Sequence, residues 1–261
     1  MKKLLLTLTA VAAFSGSAFA ADLSPHTYTK APPPVMAPSW TGFYIFGGGG
    51  GGVWDADTGI QTTVGGTPLR GFNQRQGGDG WFGTVGAGYD WQVNSWVLGI
   101  LADGQFGSLK GTIQDQDFGI AGNVKLRDTW AVGARLGYLV APNVLSYVNA
   151  GYTGSDWSGT TLFDTASGLA SGLHTNSFST QGWFVGGGVE NNLNIFGIAA
   201  PGWFMKTEYR AAYYDSKNIS ERFDGTNLPF GTDITFHPLV QTVSTSLVYR
   251  FNWGGPVVAK Y

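Results

Sequence analysis

Residues 239–251 are LVQTVSTSLVYRF, and the character of the side chains alternates along this stretch. Val243 and Leu247 fall on one face of an extended chain, whereas Ser246 and Arg250 fall on the other. Successive side chains of a β-strand point to opposite sides, so a period of two indicates a strand. The stretch therefore predicts a strand with one apolar face and one face of small or polar residues.

The same alternation recurs through much of the chain. Between residues 203 and 214, for example, Trp203 and Tyr209 oppose Lys206 and Glu208. Eight segments share the pattern, and they lie at 41–54, 85–91, 98–105, 130–138, 144–156, 183–190, 203–214 and 239–251. Tilted strands of about ten residues cross a bilayer, so we expect these segments to form a barrel wall of eight strands.

The N-terminus has the three parts of a secretory signal peptide. Two lysines open the chain, an apolar run follows from Leu4 to Phe14, and a small-residue site stands at 18–20. The apolar run would rise about 16 Å as a helix, roughly half of a bilayer core, which argues against a membrane anchor. We therefore predict that residues 1–20 are a signal peptide cleaved after Ala20.

The mature chain is divided into three parts by composition. Residues 21–39 contain five prolines and almost no large apolar residues, which predicts an extended periplasmic leader. We interpret the leader as a spacer, with contact to peptidoglycan as the alternative. Residues 40–253 hold the eight segments and form the barrel domain, and residues 254–261 form a C-terminal extension.

Charge and cysteine usage exclude several classes of function. Removing Lys2 and Lys3 with the signal leaves 13 basic and 17 acidic residues, so no basic surface for nucleic acid is expected. The chain has no cysteine, which excludes disulfides, thiolate catalysis and thiolate metal sites. We expect no cofactor.

Charged residues make up 12% of the chain, about half of the usual share for soluble domains, and 41 residues are glycine. No apolar stretch after the signal approaches 18 residues, so the chain could cross a bilayer only as a closed barrel. A soluble lipocalin-like barrel is the structural alternative, but the charged face is too sparse to solvate an exterior. The prediction is an all-β fold, an eight-stranded antiparallel up-and-down transmembrane β-barrel.

The connections between the segments alternate in length. The shorter connections lie at 93–95, 141–143 and 192–202, and the longer polar ones lie near 55–79, 108–124, 158–179 and 216–236. Outer-membrane barrels have short periplasmic turns and long outer loops. The longer stretches are therefore predicted to be surface loops, with the N-terminus in the periplasm.

The small-residue faces of the strands carry four acids and four bases. Charges inside a narrow barrel are costly unless they are paired, so we predict a lumen salt-bridge network that obstructs flow. Its predicted members are Asp90, Asp103, Arg135, Glu190, Lys206, Glu208, Arg210 and Arg250. The opposite faces carry aromatic residues suited to membrane interfaces. The predicted membrane-facing aromatics are Trp91, Trp130, Tyr138, Trp183, Trp203, Tyr209, Tyr249 and Phe251.

The sequence offers little for catalysis or metal binding. His26 lies in the leader, the pair His174 and Ser177 has no assigned acid, and His237 opens the last strand. Two aspartate pairs lie at 55 and 57 and at 115 and 117. Neither pair has the glycine and distal glutamate of a calcium loop. We therefore predict no enzyme activity and no metal site.

Four short motifs carry a family resemblance: WTGFY at 40–44, GYDWQ at 88–92, RLGY at 135–138 and LVYRF at 247–251. With the signal and the leader, they make nearly the whole chain resemble the small alphaproteobacterial outer-membrane β-barrel proteins. This group, called porin-family or opacity-like, has the OmpA-type eight-stranded architecture. The resemblance implies an abundant envelope protein with surface loops and no agreed chemical activity.

Two features depart from the family pattern. Many barrels end at an aromatic residue of the last strand, whereas ten residues follow Phe251 here, so either Phe251 or Tyr261 could be the assembly signal. The glycine run 47–52 is expected to weaken its strand through backbone entropy.

Three functions follow from these observations. The first is a structural or surface-interaction barrel of the Gram-negative cell envelope, located in the outer membrane, with a charge-plugged lumen. The alternative is a small porin or channel for ions or small solutes, and the third is a rim hydrolase using His174 or His237. The expected partners are outer-membrane lipid and lipopolysaccharide, the barrel-assembly machinery, and peptidoglycan or an extracellular ligand.

Overall fold

A computed structural model describes residues 39–69, 74–193 and 200–251. The predicted signal peptide, all but the end of the leader, and the C-terminal extension with Tyr261 lie outside these residues, and the domain boundaries stay predictions. Among the described residues, no helix is long and apolar enough to cross a membrane. The strands are β1 (Gly42–Thr62), β2 (Gln74–Val93), β3 (Trp96–Asp115), β4 (Ile120–Ala141), β5 (Val144–Trp157), β6 (Thr160–Asp164), β7 (Ala170–Thr175), β8 (Phe178–Asn192), β9 (Trp203–Tyr214), β10 (Lys217–Phe223) and β11 (Pro229–Arg250).

Eight of these strands form a closed antiparallel ring in the order β1-β2-β3-β4-β5-β8-β9-β11. The ring closes because β1 pairs with β11 over nearly its whole length, from Tyr44 opposite Arg250 to Thr62 opposite Thr232. Closure leaves no strand edge with unpaired backbone groups, as a bilayer requires. The predicted fold, an eight-stranded antiparallel barrel, is confirmed.

A second ring of eight strands continues the barrel on the side of the longer connections. Here β6, β7 and β10 take the places of β5, β8 and β9, since β4 also pairs with β6 and β10 pairs with both β7 and β11. Breaks of two residues, at 158–159, 176–177 and 215–216, separate each short strand from the long strand that it extends. We call this part the outer ring.

The prediction of long surface loops was wrong over most of their length. The β3–β4 connection spans residues 116–119, and most of 55–79, 158–179 and 216–236 is strand. The alternation continues there with polar outward residues, as at Thr112 and Asn123, so these stretches resemble loops in composition alone. The short turns at 94–95 and 142–143 are confirmed, and the β8–β9 connection lies partly outside the described residues.

A belt of exposed apolar side chains surrounds the first ring. On β4, Trp130 and Tyr138 bound the belt, and Val132 and Leu136 lie between them. Eight residues span about 26 Å along a strand, or about 20 Å across a bilayer after tilting. Beyond Trp130 the outward face of the same strand turns polar with Arg127. The belt therefore marks the part of the barrel that crosses the membrane.

The glycine run forms a continuous part of β1, although it was expected to weaken the strand. Each residue from 47 to 52 pairs with both β2 and β11. A Cβ added at Gly48 or Gly50 would collide with the backbone carbonyl of Thr245 or Val243, whereas one added at Gly51 would make an ordinary contact, 3.5 Å from the Trp81 ring. Inward glycine therefore permits the close approach of β1 to β11.

We predict that Gly50→Ala lowers the free energy of unfolding by about 1–3 kcal/mol, because the added methyl forces β1 away from β11. Gly51→Ala is the matched control and should change it by less than about 0.5 kcal/mol. Urea unfolding of both variants in lipid vesicles measures the difference. Equal losses in the two variants would contradict the close-approach explanation.

Candidate functional site

Four strands carry a charged side chain into the barrel at nearly the same level. Asp90 of β2 and Arg135 of β4 lie on either side of Gly99, which pairs with both. Glu190 of β8 and Arg250 of β11 complete the level. In the first ring β2 faces β8 and β4 faces β11, so acids and bases alternate around the lumen. We call these four residues the charge ring.

Each arginine of the charge ring bonds both acids. Arg135 donates through Nε to Asp90 Oδ1 at 2.8 Å and through Nη1 to Glu190 Oε2 at 3.0 Å. Arg250 donates through Nη1 to Asp90 Oδ2 and through Nε to Glu190 Oε1, both at 2.8 Å. The bonds form a closed circuit, so every charge has two partners of opposite sign.

Burial makes the circuit obligatory. The side chains of Arg135 and Glu190 are 1% and 0% exposed, and unpaired ions at that depth would cost several kcal/mol each. Aromatic faces cover the guanidinium groups, since Arg135 lies 4.4 Å from the ring centre of Tyr44 and Arg250 lies 4.4 Å from that of Trp40. Cation–π attraction therefore adds to the ion pairs.

A second network lies farther outward. Arg210 of β9 makes two parallel bonds to Asp103 of β3, at 2.9 and 2.8 Å, across the full width of the lumen. It also donates to Glu208 at 2.8 Å. Glu208 accepts further bonds from Tyr147 Oη at 2.8 Å and Asn149 Nδ2 at 3.0 Å.

Lys206 is held less tightly than the arginines. Its Nζ lies 3.7 Å from Glu208 Oε2 and 3.4 Å from the ring centre of Phe46. All eight predicted lumen residues thus lie inside the barrel, in two groups. Sequence reasoning missed Tyr147 and Asn149, because the segment 144–156 alternates less clearly, although both occupy its inward positions.

The lumen also holds an apolar closure that the sequence analysis did not anticipate. Trp54 of β1, Trp157 of β5 and Phe236 of β11 are buried, with ring centres 5.1–5.6 Å apart. Trp54 and Phe236 lie in or beside stretches that resemble loops in composition, so the period of two does not reveal their inward direction. We call these three residues the aromatic plug.

The predicted membrane-facing aromatics lie on the outside of the barrel. Seven of the eight are exposed, and Tyr249 is half-buried between Trp203 and Phe251, with ring centres 5.1 Å from each. Phe106 and Tyr152 also stand at the outer margin of the belt, and Phe43 and Trp96 stand at the inner margin.

The histidine and aspartate candidates have structural partners. His174 Nδ1 lies 2.8 Å from Asp224 Oδ1, and its Nε2 lies 3.2 Å from Asn227 Oδ1, so both ring nitrogens are engaged by residues other than Ser177. Asp55 accepts a bond from Arg75 Nε at 3.0 Å. His237 is a strand residue opposite Asp57. Within the described ranges, no group of three or more potential ligands is arranged to hold a metal ion.

The fold, the apolar belt and the paired lumen charges define a membrane-spanning β-barrel protein. The family of outer membrane protein beta-barrel domains matches residues 6–251, and the chain belongs to this family. It is therefore a protein of the cell outer membrane.

Two curated relatives agree with this assignment, and one solved structure agrees with the fold. The 31 kDa outer-membrane immunogenic protein of Brucella melitensis is 33% identical over 96% of this chain and 100% of its own length. The 25 kDa outer-membrane immunogenic protein of Brucella abortus is 30% identical over 84% of this chain and 87% of its own. The crystal structure of the outer membrane protein OprG from Pseudomonas aeruginosa matches with a TM-score of 0.50 at 14% identity, covering 80% of this chain and 97% of that one.

We predict that Arg250→Ala lowers the free energy of unfolding by about 3–5 kcal/mol, because Glu190 and Asp90 each lose a buried partner. Arg75→Ala is the control, since it removes an exposed ion pair with Asp55 and should cause no measurable change. Urea unfolding in vesicles compares the two. A loss for Arg250→Ala no larger than that for Arg75→Ala would show that the charge ring does not stabilise the barrel.

Proposed function

We propose that the protein is a sealed, non-enzymatic structural barrel of the outer membrane that presents its outer hairpins to the surroundings of the cell. The observation that carries the proposal is closure of the lumen at successive levels. The charge ring, the Arg210–Asp103 bridge and the aromatic plug each join side chains from strands on different sides of the barrel.

Ion passage would require these levels to separate. An ion crossing the charge ring would have to break bonds that satisfy buried charges, and an ion crossing the aromatic plug would meet no polar replacement for its hydration shell. Larger barrels are the usual route to an aqueous channel. The closures support the sealed barrel over the small channel.

The outer ring supports the surface role. Its strands extend well past the membrane belt, since Asp115 lies nine residues beyond Phe106 on β3, about 30 Å along the strand. The Brucella relatives are named as immunogenic outer-membrane proteins, in keeping with exposure outside the cell. We propose that the outer hairpins contact an extracellular ligand.

Lipopolysaccharide is the proposed partner at the outer margin of the belt. Lys110 and Lys125 lie directly opposite each other on β3 and β4, and Arg127 follows two residues along. Like charges in this arrangement repel, and lipid phosphates would neutralise them. We also propose that Phe251 is the signal for the barrel-assembly machinery and that the leader is a spacer, with contact to peptidoglycan as the alternative.

We predict that the refolded wild-type protein shows no discrete conductance in a planar bilayer. The triple variant Trp157→Ala, Arg210→Ala, Arg135→Ala should show channel openings, because it removes a part of each of the three closures. Trp81→Ala is the control, since this side chain is 80% exposed on the outside of the barrel, and it should stay silent. Steady openings of the wild-type protein would refute the sealed barrel and favour the channel.

We predict that the double variant Lys110→Gln, Lys125→Gln binds lipopolysaccharide micelles about tenfold more weakly than the wild type, with a smaller salt dependence. Lys217→Gln removes an exposed lysine of β10 away from this pair and should bind as the wild type does. Fluorescence titration of the refolded proteins measures the affinities. Equal affinity for the double variant and the control would exclude this lipid contact.

A further inference from the structure

Two carboxyl groups meet across the outer mouth of the barrel. Asp115 ends β3 and Glu221 lies in β10, and both side chains point into the lumen and are fully buried. In the outer ring, β3 and β10 stand four places apart among eight strands, so they face each other. Their carboxyl groups lie within hydrogen-bonding distance of each other.

The hydrogen bonds of the pair leave one oxygen on each side without a donor. Asp115 Oδ1 accepts the backbone N–H groups of Asp117 at 2.7 Å and Phe118 at 3.1 Å. Glu221 Oε2 accepts the hydroxyl of Thr232 at 2.5 Å. Among the described residues, Asp115 Oδ2 and Glu221 Oε1 have no hydrogen-bond donor. These two oxygens therefore lie one on each member of the pair.

Three aromatic rings meet at the mouth near the pair. Phe118 of the β3–β4 turn and Phe223 at the end of β10 both contact Phe230, with ring centres 5.0 and 5.5 Å from it. Two buried carboxylates side by side would repel strongly, because burial penalises charge and neither solvent nor a counter-charge screens them. One proton between Oδ2 and Oε1 removes the repulsion and satisfies both oxygens.

The charged groups near the pair do not stabilise it in a doubly ionised form. Asp117 in the β3–β4 turn adds negative charge beside Asp115, and Asp233 of β11 adds it beside Glu221. On β10 itself, Arg222 donates instead to the Asn227 carbonyl. On β7, His174 bonds to Asp224 and Asn227. Within the described ranges, no lysine or arginine forms an ion pair with Asp115 or Glu221.

We infer that Asp115 and Glu221 share one proton and act as a pH-dependent latch across the outer mouth of the barrel. Glu221 donates the proton from Oε1 to Asp115 Oδ2 in the closed mouth, and on opening the proton passes to solvent. The latch is distinct from the closure of the lumen. The aromatic plug lies deeper in the barrel and stays in place when the mouth opens. The latch regulates the surface that the outer hairpins present.

Burial raises the pKa of Glu221 from 4.5 to about 7, and that of Asp115 is raised for the same reason. A raised pKa in the closed state means that opening releases a proton between pH 4.5 and 7. The opening equilibrium constant should therefore rise about tenfold per pH unit across this window and level off above pH 7. The latch is strongest in acid and weakest above neutral pH.

The chain has no cysteine, so two spin labels can be placed uniquely at Gln116→Cys and Thr226→Cys, both exposed positions on opposite turns. We expect the distance between the labels, measured by electron paramagnetic resonance in vesicles, to lengthen as pH rises from 4.5 to 8. Glu221→Gln donates an amide hydrogen to Asp115 at every pH, so the distance should stay short. If Glu221→Gln misfolds, Asp115→Asn replaces it in the experiment. Its amide donates a hydrogen to Glu221, so the distance between the labels should likewise stay short at every pH.

Asp164→Asn is the control. Asp164 Oδ1 also accepts two following backbone N–H groups, but Asp164 is only half-buried, so the variant should keep the wild-type pH response. Infrared spectra supply a second readout, a protonated-carboxyl band that titrates near pH 7 and is absent in Glu221→Gln.

Three results would overturn the latch. The first is a label distance that ignores pH in the wild type. The second is a pH response that survives in Glu221→Gln. The third is restoration of the short distance by Ca²⁺ at pH 8, which would make the pair a cation site and not a proton latch.

Discussion

Everything in this structure depends on pairing β1 with β11. A bilayer offers no hydrogen-bonding partners, so a sheet that crosses it must have no free edge. The register from Tyr44 opposite Arg250 to Thr62 opposite Thr232 closes the sheet over 19 residue pairs, far longer than the membrane requires. The same pairing therefore closes both the membrane part and the outer ring, and inward glycines such as Gly48 and Gly50 allow the two strands to approach.

Closure with eight strands leaves a lumen that side chains must fill. The chain fills it differently at different depths. Within the membrane belt the filling is charged, and Arg135 and Arg250 can lie there because Asp90 and Glu190 lie between them. Above the belt and below the carboxyl pair at the mouth the filling is apolar, like the core of a soluble protein, around Trp54, Trp157 and Phe236. A charged level below and an apolar level above are both hard for an ion to cross.

The sequence predicted the strands of the first ring because lipid on one side and a packed lumen on the other impose a strict period of two. It did not predict the outer ring, since water outside makes the outward residues polar and the stretches resemble loops. The eight lumen charges could be assigned to a face from parity alone. Their partners could not, because contacts such as Arg210 with Asp103 depend on which strands stand opposite in the closed ring.

Strands four places apart around the ring face each other, and this rule accounts for two of the contacts that cross the lumen. It brings Arg210 of β9 to Asp103 of β3, and it brings Glu221 of β10 to Asp115, twelve residues farther along β3. Within the membrane the groups that bond across the lumen, such as Arg210 and Asp103, have opposite charge. At the mouth the facing groups are both acids, so contact there depends on a proton. The membrane part is thus fixed, whereas the outer end can respond to its surroundings.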